Sequence, residues 1–107
     1  MNIIITGGNG FLGSKLAEKF TLNGHKVIVL DINSKSFKYR KDILKKSKFI
    51  KADITSIKSL NKIKVRKKAI LLHCAGQPSA ALSFKNPEDD CKKNILGMIK
   101  FILKNFF

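Results

Sequence analysis

A chain of 107 residues makes one small domain with a modest core and leaves little room for a second. Its formal charge of +15 would suit a nucleic-acid binder, since basic faces release counterions from phosphate backbones. The distribution argues otherwise: all but Arg40 and Arg66 of the 22 basic residues are lysines scattered from Lys15 to Lys104, and joint abundance of Lys, Ile, Asn and Phe is what AT-rich coding yields without selection for binding.

Asn2 to Thr6 read as a short buried strand, and Phe11 to Leu22 follow with Leu12, Leu16, Ala17 and Phe20 at helical spacing. Asn23 and Gly24 stop that helix, and Val27 to Leu30 form a second apolar strand ending at Asp31. Ser36 to Lys46 is a lysine-rich stretch in which Phe37, Ile43 and Leu44 suggest a helix. Phe49 to Ala52 make a third strand closed by Asp53, after which Thr55 can cap a helix carrying Ile57, Leu60 and Ile63 on one face. Ala69 to Cys74 form a fourth strand, CAGQPSAALSFKN a long connection, and Asn86 with Pro87 starts a last helix through Ile95, Met98, Ile99 and Ile102. Strands separated by helices cannot pair through hairpins, so the predicted fold is α/β, an incomplete doubly wound parallel sheet of about four strands. The chain ends in KFILKNFF, whose apolar residues have no following element to cover them.

Between the first strand and helix lies GGNGFLG (7–13), with GxGxxG at Gly8, Gly10 and Gly13 and an overlapping GxxGxxG at Gly7, Gly10 and Gly13. A strand before and a helix after are the context in which such a pattern holds a dinucleotide. An early glycine permits the tight turn, Gly10 lets a pyrophosphate approach the backbone, and Gly13 lets the helix pack closely. Exposed N–H groups and the helix dipole then meet the phosphate charge. Asp31, roughly 20 residues further on at the end of a strand, is where a carboxylate accepts hydrogen bonds from an adenosine ribose. A 2′-phosphate about 4 Å from that carboxylate is repelled by roughly 4 kcal/mol per unit charge at an effective dielectric of about 20. NAD is therefore expected over NADP, with Lys35, Lys38 and Arg40 near enough in sequence to soften the penalty. Asp53 is placed to meet the adenine edge or to cap the helix after it.

Other clusters read as structural. His73 and Cys74 are neighbours on a strand, point to opposite faces and cannot share a metal. Glu88, Asp89 and Asp90 fall in the first turn of a helix, where carboxylates stabilise the dipole. Cys74 and Cys91 are too few for a disulfide scaffold, and neither a signal peptide nor a bilayer-spanning run is present, so the sequence reads as cytoplasmic.

The strings TGGNGFLG (6–13), LD (30–31), ADI (52–54), HCAG (73–76) and QPSAALSFKNPEDDCKKNILG (77–97) together resemble the extended branch of the short-chain dehydrogenase/reductase superfamily, specifically its NAD-dependent nucleotide-sugar epimerases and dehydratases. The likeness covers essentially the whole chain, and AGQPS with the NPxxD and NxxG spacing is most similar to CDP-paratose 2-epimerases, with GDP-mannose dehydratases close behind. It implies a Rossmann-type fold in which Gly7, Gly10, Phe11, Leu12 and Gly13 hold the pyrophosphate, Asp31 the ribose, and Asp53 with Ile54 the adenine. It further implies that Cys74, Ala75 and Gly76 line the cofactor, that Ser79 or Ser83 borders the sugar, and that Asn94 braces the site. Cys91 stands where an aromatic residue is usual, and Met98 replaces the usual threonine after Gly97.

In that family a hydride passes from a sugar carbon to NAD and returns after the keto intermediate has rearranged, with a tyrosine tuned by a lysine four residues on and a Ser or Thr beside it. The sole tyrosine here is Tyr39, and position 43 is Ile, so no catalytic residue is assigned. Residues 1–107 are thus expected to be the N-terminal portion of a single NAD-binding domain, lacking a substrate domain and not competent alone. The alternative is a non-catalytic nucleotide-binding regulatory or subunit module completed by another chain. Such a chain would cover the open edge of the fourth strand, and a homodimer is the other expected partner. The full-length family brings a nucleotide-sugar substrate; neither a membrane nor a specific nucleic acid is expected as partner.

Overall fold

The computed structural model describes residues 1–32, 39, 41–65, 68–76 and 79–106. Strands and helices alternate: β1 (Asn2–Thr6), α1 (Phe11–Leu22), β2 (Lys26–Asp31), α2 (Lys41–Lys46), β3 (Lys48–Lys51), α3 (Ile57–Leu60) and β4 (Ala69–His73). Three helices follow, α4 (Ala80–Lys85), α5 (Pro87–Cys91) and α6 (Gly97–Phe106), the last two joined by a π-helical turn, Lys92–Leu96. All strand pairs are parallel, in the order β3-β2-β1-β4, so β1 lies inside the sheet and β3 and β4 form its edges.

The alternation of side chains along β1 explains the two-sided core. Ile3 and Ile5 face one way and meet Ala17 of α1 with Val27 and Val29 of β2. Ile4 faces the other way and meets Leu30, Ala52, Leu60, Ile63 and Phe101. A run of three isoleucines is what a strand buried on both faces demands. Helices therefore cover both sides of the sheet, as a doubly wound fold requires.

Several local expectations are revised. In α1 the buried line is Gly13, Ala17 and Thr21, while Leu12 is 60% exposed; small residues let the helix come close, and the leucine turns outward. The predicted helix Ser36–Lys46 is seen as Lys41–Lys46, with Ile43 buried; Lys35 to Lys38 and Arg40 lie outside the described residues. Ser56, not Thr55, caps α3 through its hydroxyl to Ser59 N–H. Thr55 instead gives both its N–H and its hydroxyl to Asp53 Oδ1, at 2.8 and 2.6 Å, so Asp53 closes a local turn and does not cap the helix. Ile57, expected in the core, is exposed, because this single turn buries only Leu60.

The long connection after β4 contains a helix. Ser79 Oγ accepts from Leu82 N–H at 3.3 Å and starts α4, whose Ala80, Ala81 and Leu82 are strong helix formers. Asn86 with Pro87 opens α5 as expected, its Oδ1 accepting from Asp89 N–H at 3.1 Å. The π-helical turn adds a residue to the cycle and shifts the phase of α6. Gly97 and Phe101 consequently face inward, Phe101 fully buried, while of the anticipated inner face Ile95 and Ile99 are turned to solvent and Met98 and Ile102 are half-buried. No helix among the described residues is long and apolar enough to cross a membrane.

Candidate functional site

Across the carboxyl ends of the strands lies a cleft of about 490 Å³. It sits where the strand order reverses, β2 and β3 lying to one side of β1 and β4 to the other, the place at which open parallel sheets leave a crevice. The loop after β1 forms its centre. Asp31 and Ile32 follow on from β2, Asp53 to Thr55 from β3, and Cys74 to Gly76 from β4; Asp89, Lys92 and Lys93 close it from the helical side.

The loop glycines have different reasons to lack a side chain. Gly7 has φ +70°, and a Cβ there would lie 2.6 Å from Ala75 N, so the loop and the exit of β4 touch backbone to backbone. A Cβ on Gly8 would strike Val29 Cγ1 at 1.9 Å, and one on Gly13 would strike the Gly7 carbonyl oxygen at 2.2 Å. Gly10 differs: it is exposed on the cleft, and its nearest obstacle is Gly7 O at 3.2 Å. Packing forbids a side chain at three of these glycines, whereas at Gly10 it only crowds one.

Internal hydrogen bonds fix the loop. Gly8 N–H donates to Leu30 O at 3.2 Å, Gly10 N–H to Gly7 O at 3.0 Å, and Asn9 N–H to Asp31 Oδ2 at 2.8 Å. Asp31 is thus both a cleft wall and a tether for the loop. The helical ladder of α1 begins with Ser14 N–H on Gly10 O, and no side chain caps the helix at Gly10. Phe11, Leu12 and Gly13 therefore present the N–H groups that a helix cannot satisfy from within, at the positive end of its dipole. Tyr39 supports the loop from behind: its hydroxyl donates to Gly8 O, its ring packs on Phe49 with centroids 4.8 Å apart, and its pKa is pushed up to about 12 by burial and by the nearby charges of Asp31 and Glu18. The phenol stays neutral and serves as a donor. Sequence reading missed this role because the contact spans Gly8 to Tyr39.

The opposite wall hangs on Thr6. Its fully buried hydroxyl accepts from Ala75 N–H at 3.2 Å and shares a 2.8 Å hydrogen bond with His73 Nδ1. A neutral imidazole suits this bond in either tautomer, Nδ1 accepting from the hydroxyl or donating to its second lone pair. Burial pushes His73 below its ordinary range, which favours that neutral form, against an opposing contribution from the Asn94 backbone. Burial also pushes the Cys74 thiol up, away from thiolate chemistry.

Gly7, Gly10, Phe11, Asp31, Asp53, Ile54, Cys74, Ala75 and Gly76 all line the cleft. Leu12 and Gly13 lie outside it on α1, and Ser79 is occupied as the cap of α4. Ser83 donates to Asp90 Oδ1 at 2.7 Å, and Asn94 Nδ2 donates to the same oxygen at 2.9 Å. Asn94 also sits behind Gly76, where a Cβ would lie 2.4 Å from its Oδ1. Gln77 and Pro78 are outside the described residues. Lys92 and Lys93 were not anticipated; they pair with Glu88 at 3.1 Å and Asp89 at 2.8 Å, and the hydrogen bond to Asp89 holds the Lys93 ammonium above its usual range. The i,i+4 acid–lysine spacing was the available signal.

A bare helix N-terminus and glycine turn at the switch point of a β3-β2-β1-β4 parallel sheet define a Rossmann-type α/β protein. The profile of the NAD dependent epimerase/dehydratase family matches residues 3–102, and the chain belongs to that family. It is 34% identical over 100 residues to a putative UDP-glucose 4-epimerase of Methanocaldococcus jannaschii, covering 94% of this chain and 32% of that protein. The UDP-glucose 4-epimerase of Thermotoga maritima, solved with UDP-glucose, superimposes with a TM-score of 0.80 at 33% identity, over 97% of this chain and 33% of that one. The UDP-glucose 4-epimerase of Thermus thermophilus, solved with NAD, gives a TM-score of 0.77 at 26% identity, over 96% and 33%. The chain thus spans about a third of the length of these relatives. They are UDP-glucose 4-epimerases, so the finer likeness to CDP-paratose 2-epimerases is not the one they carry.

Proposed function

We propose that residues 1–107 form a single cofactor-binding unit of a nucleotide-sugar epimerase or dehydratase, with NAD held in the cleft at the carboxyl ends of the strands. The observation that carries this is Gly10: it faces the cleft, a side chain there would meet only the Gly7 carbonyl, in a tight contact of 3.2 Å, and it stands directly before the uncapped N–H groups of α1. That is the cradle a pyrophosphate fills. In this reading Gly7, Gly10, Phe11, Leu12 and Gly13 supply the phosphate-binding turn, Asp31 accepts from the adenosine ribose, and Asp53 with Ile54 meets the adenine. Cys74, Ala75 and Gly76 form the wall beyond, while Asn94, Ser83 and Asp90 hold that wall in place. Ser79 and Ser83 belong to the loop that borders the sugar and act chiefly by shaping it, since both hydroxyls have structural partners.

NAD, when bound, supplies a hydride acceptor for oxidation of a sugar carbon. The chain's own part is to bind and orient. It offers no Tyr-x-x-x-Lys pair, and Tyr39, raised rather than lowered in pKa and spent on Gly8, cannot serve as the base. The unit is therefore expected not to turn over alone. We assign the nucleotide-sugar substrate to the longer enzyme because these relatives are UDP-glucose 4-epimerases, and we place the protein in the cytoplasm because both cysteines are free.

Calorimetric titration with NAD and NADP tests the reading. Saturable NAD binding is expected, with NADP weaker by about tenfold or more because its 2′-phosphate meets the Asp31 carboxylate. Asp31→Asn keeps an oxygen for Asn9 N–H but removes the charge, and should narrow that gap. Absence of saturation with either cofactor, or a gap untouched by Asp31→Asn, overturns the assignment.

A further inference from the structure

A second concavity, of about 670 Å³, lies at the opposite end of the sheet. The first residues of all four strands, Asn2, Lys26, Lys48 and Ala69, stand on its rim, and the pairing register sets Asn2 beside both Lys26 and Ala69. Lys46 and Lys64 complete the rim, and none of the lining residues among those described is acidic. Its apolar lining is the half-buried Ile28 and Val65, over the buried Ile4 and Val27. The two ends differ in charge: Asp31, Asp53 and Asp89 line the first cleft together with Lys92 and Lys93, whereas the described charges lining this end are all lysines.

Lysines spread over a convex surface need no partner. Four that line one concavity make its potential positive, which favours an anion there. Their alkyl stems extend the apolar floor while the ammonium groups stay at the rim. The volume suits a small molecule. A nucleic acid fits poorly, because the described lining offers neither arginine nor an aromatic ring on which a base could stack. A second copy of the chain is opposed by the same charge.

We propose that this basin is a second binding site, independent of the cofactor cleft, for a small amphiphilic anion: a phosphate or carboxylate head at the lysine rim with an alkyl or acyl body on the isoleucine and valine floor. NMR titration of the full chain with hexyl phosphate tests it. Saturable shifts are expected in the amides of Lys26, Val27, Lys48 and Val65, much smaller ones with inorganic phosphate or the neutral hexyl glucoside, and no change in them when NAD is added. The double variant Lys26→Gln/Lys48→Gln should weaken hexyl phosphate binding by about tenfold, as loss of two exposed ion pairs implies. Lys46→Gln/Lys64→Gln, which leaves the strands untouched, should weaken it comparably and guards against a folding defect in the first pair. Shifts distributed over lysines at both ends, equal shifts with hexyl glucoside or inorganic phosphate, or full affinity in both double variants overturn the proposal.

Discussion

Gly10 and Gly13 belong to one loop yet should respond to the same substitution in opposite ways. A methyl group on Gly13 meets a backbone carbonyl at 2.2 Å, and neither the loop nor α1 can move without disturbing Gly7 against Ala75. Gly13→Ala should cost about 1–3 kcal/mol in urea unfolding, as overpacking does. Gly10→Ala meets its neighbour only at 3.2 Å, with an ordinary negative φ of −73°, so stability should change by less than about 1 kcal/mol. NAD affinity should nevertheless fall at least about tenfold, since the methyl occupies the phosphate's approach. An unimpaired affinity would show that the cradle lies elsewhere.

Among the elements, the junction of β1 with β4 carries the polar load of the core. Thr6→Val keeps the shape of the side chain but removes the acceptor for Ala75 N–H and the partner of His73, which should cost about 1–3 kcal/mol and loosen the Cys74–Gly76 wall. His73 adds a pH dependence. Its folded pKa lies below the ordinary value near 6.5, so the unfolded chain takes up the proton first; its contribution is complete above about pH 6.5 and is lost as pH falls toward the lower folded value. Melting temperature followed from pH 8 to 5 should show this loss, and His73→Phe should flatten it. On the other face Phe101 anchors α6 in the core. Phe101→Ala should destabilise by about 3–5 kcal/mol in denaturant titration, because the ring is fully buried among Ile4, Leu30 and Leu60.

At the scale of the molecule, apolar exposure opposes charge. Ile99 and Leu103 are exposed one turn apart on α6, Ile95 is exposed in the turn before it, Leu82 and Phe84 are exposed on α4, and β4 is an edge strand. Exposure of this kind drives association, while a charge of +15 resists it. Salt should tip the balance. Raising ionic strength from about 0.01 M to 1 M shortens the Debye length from about 30 Å to 3 Å, and sedimentation should then show the isolated chain self-associating. Ile99→Lys should restore the monomer at high salt; a chain monomeric throughout would show that these residues are inert.

Much of this was legible without coordinates, and the particular residues show why. The isoleucine run of β1, the Asn23–Gly24 stop and the Asn86–Pro87 start depend on neighbours a few positions away, so local pattern found β1, α1 and the opening of α5. The glycine loop was readable for the same reason, and with it the cleft residues Gly7, Gly10, Phe11 and Asp31. Ser79 as a cap was equally local and was overlooked. Other features join residues far apart: Tyr39 under Gly8, Thr6 between His73 and Ala75, Asn94 behind Gly76, four lysines on one basin. The inward turn of Phe101 in place of Ile99 depends on the phase shift of a single π-helical turn. The order of elements and the chemistry of the phosphate-binding turn could be read along the chain, because both arise from steric and hydrogen-bonding preferences within one segment. Which side chains share a cavity emerged only once the chain was folded, since that depends on how separate segments pack, and no residue's immediate neighbours encode it.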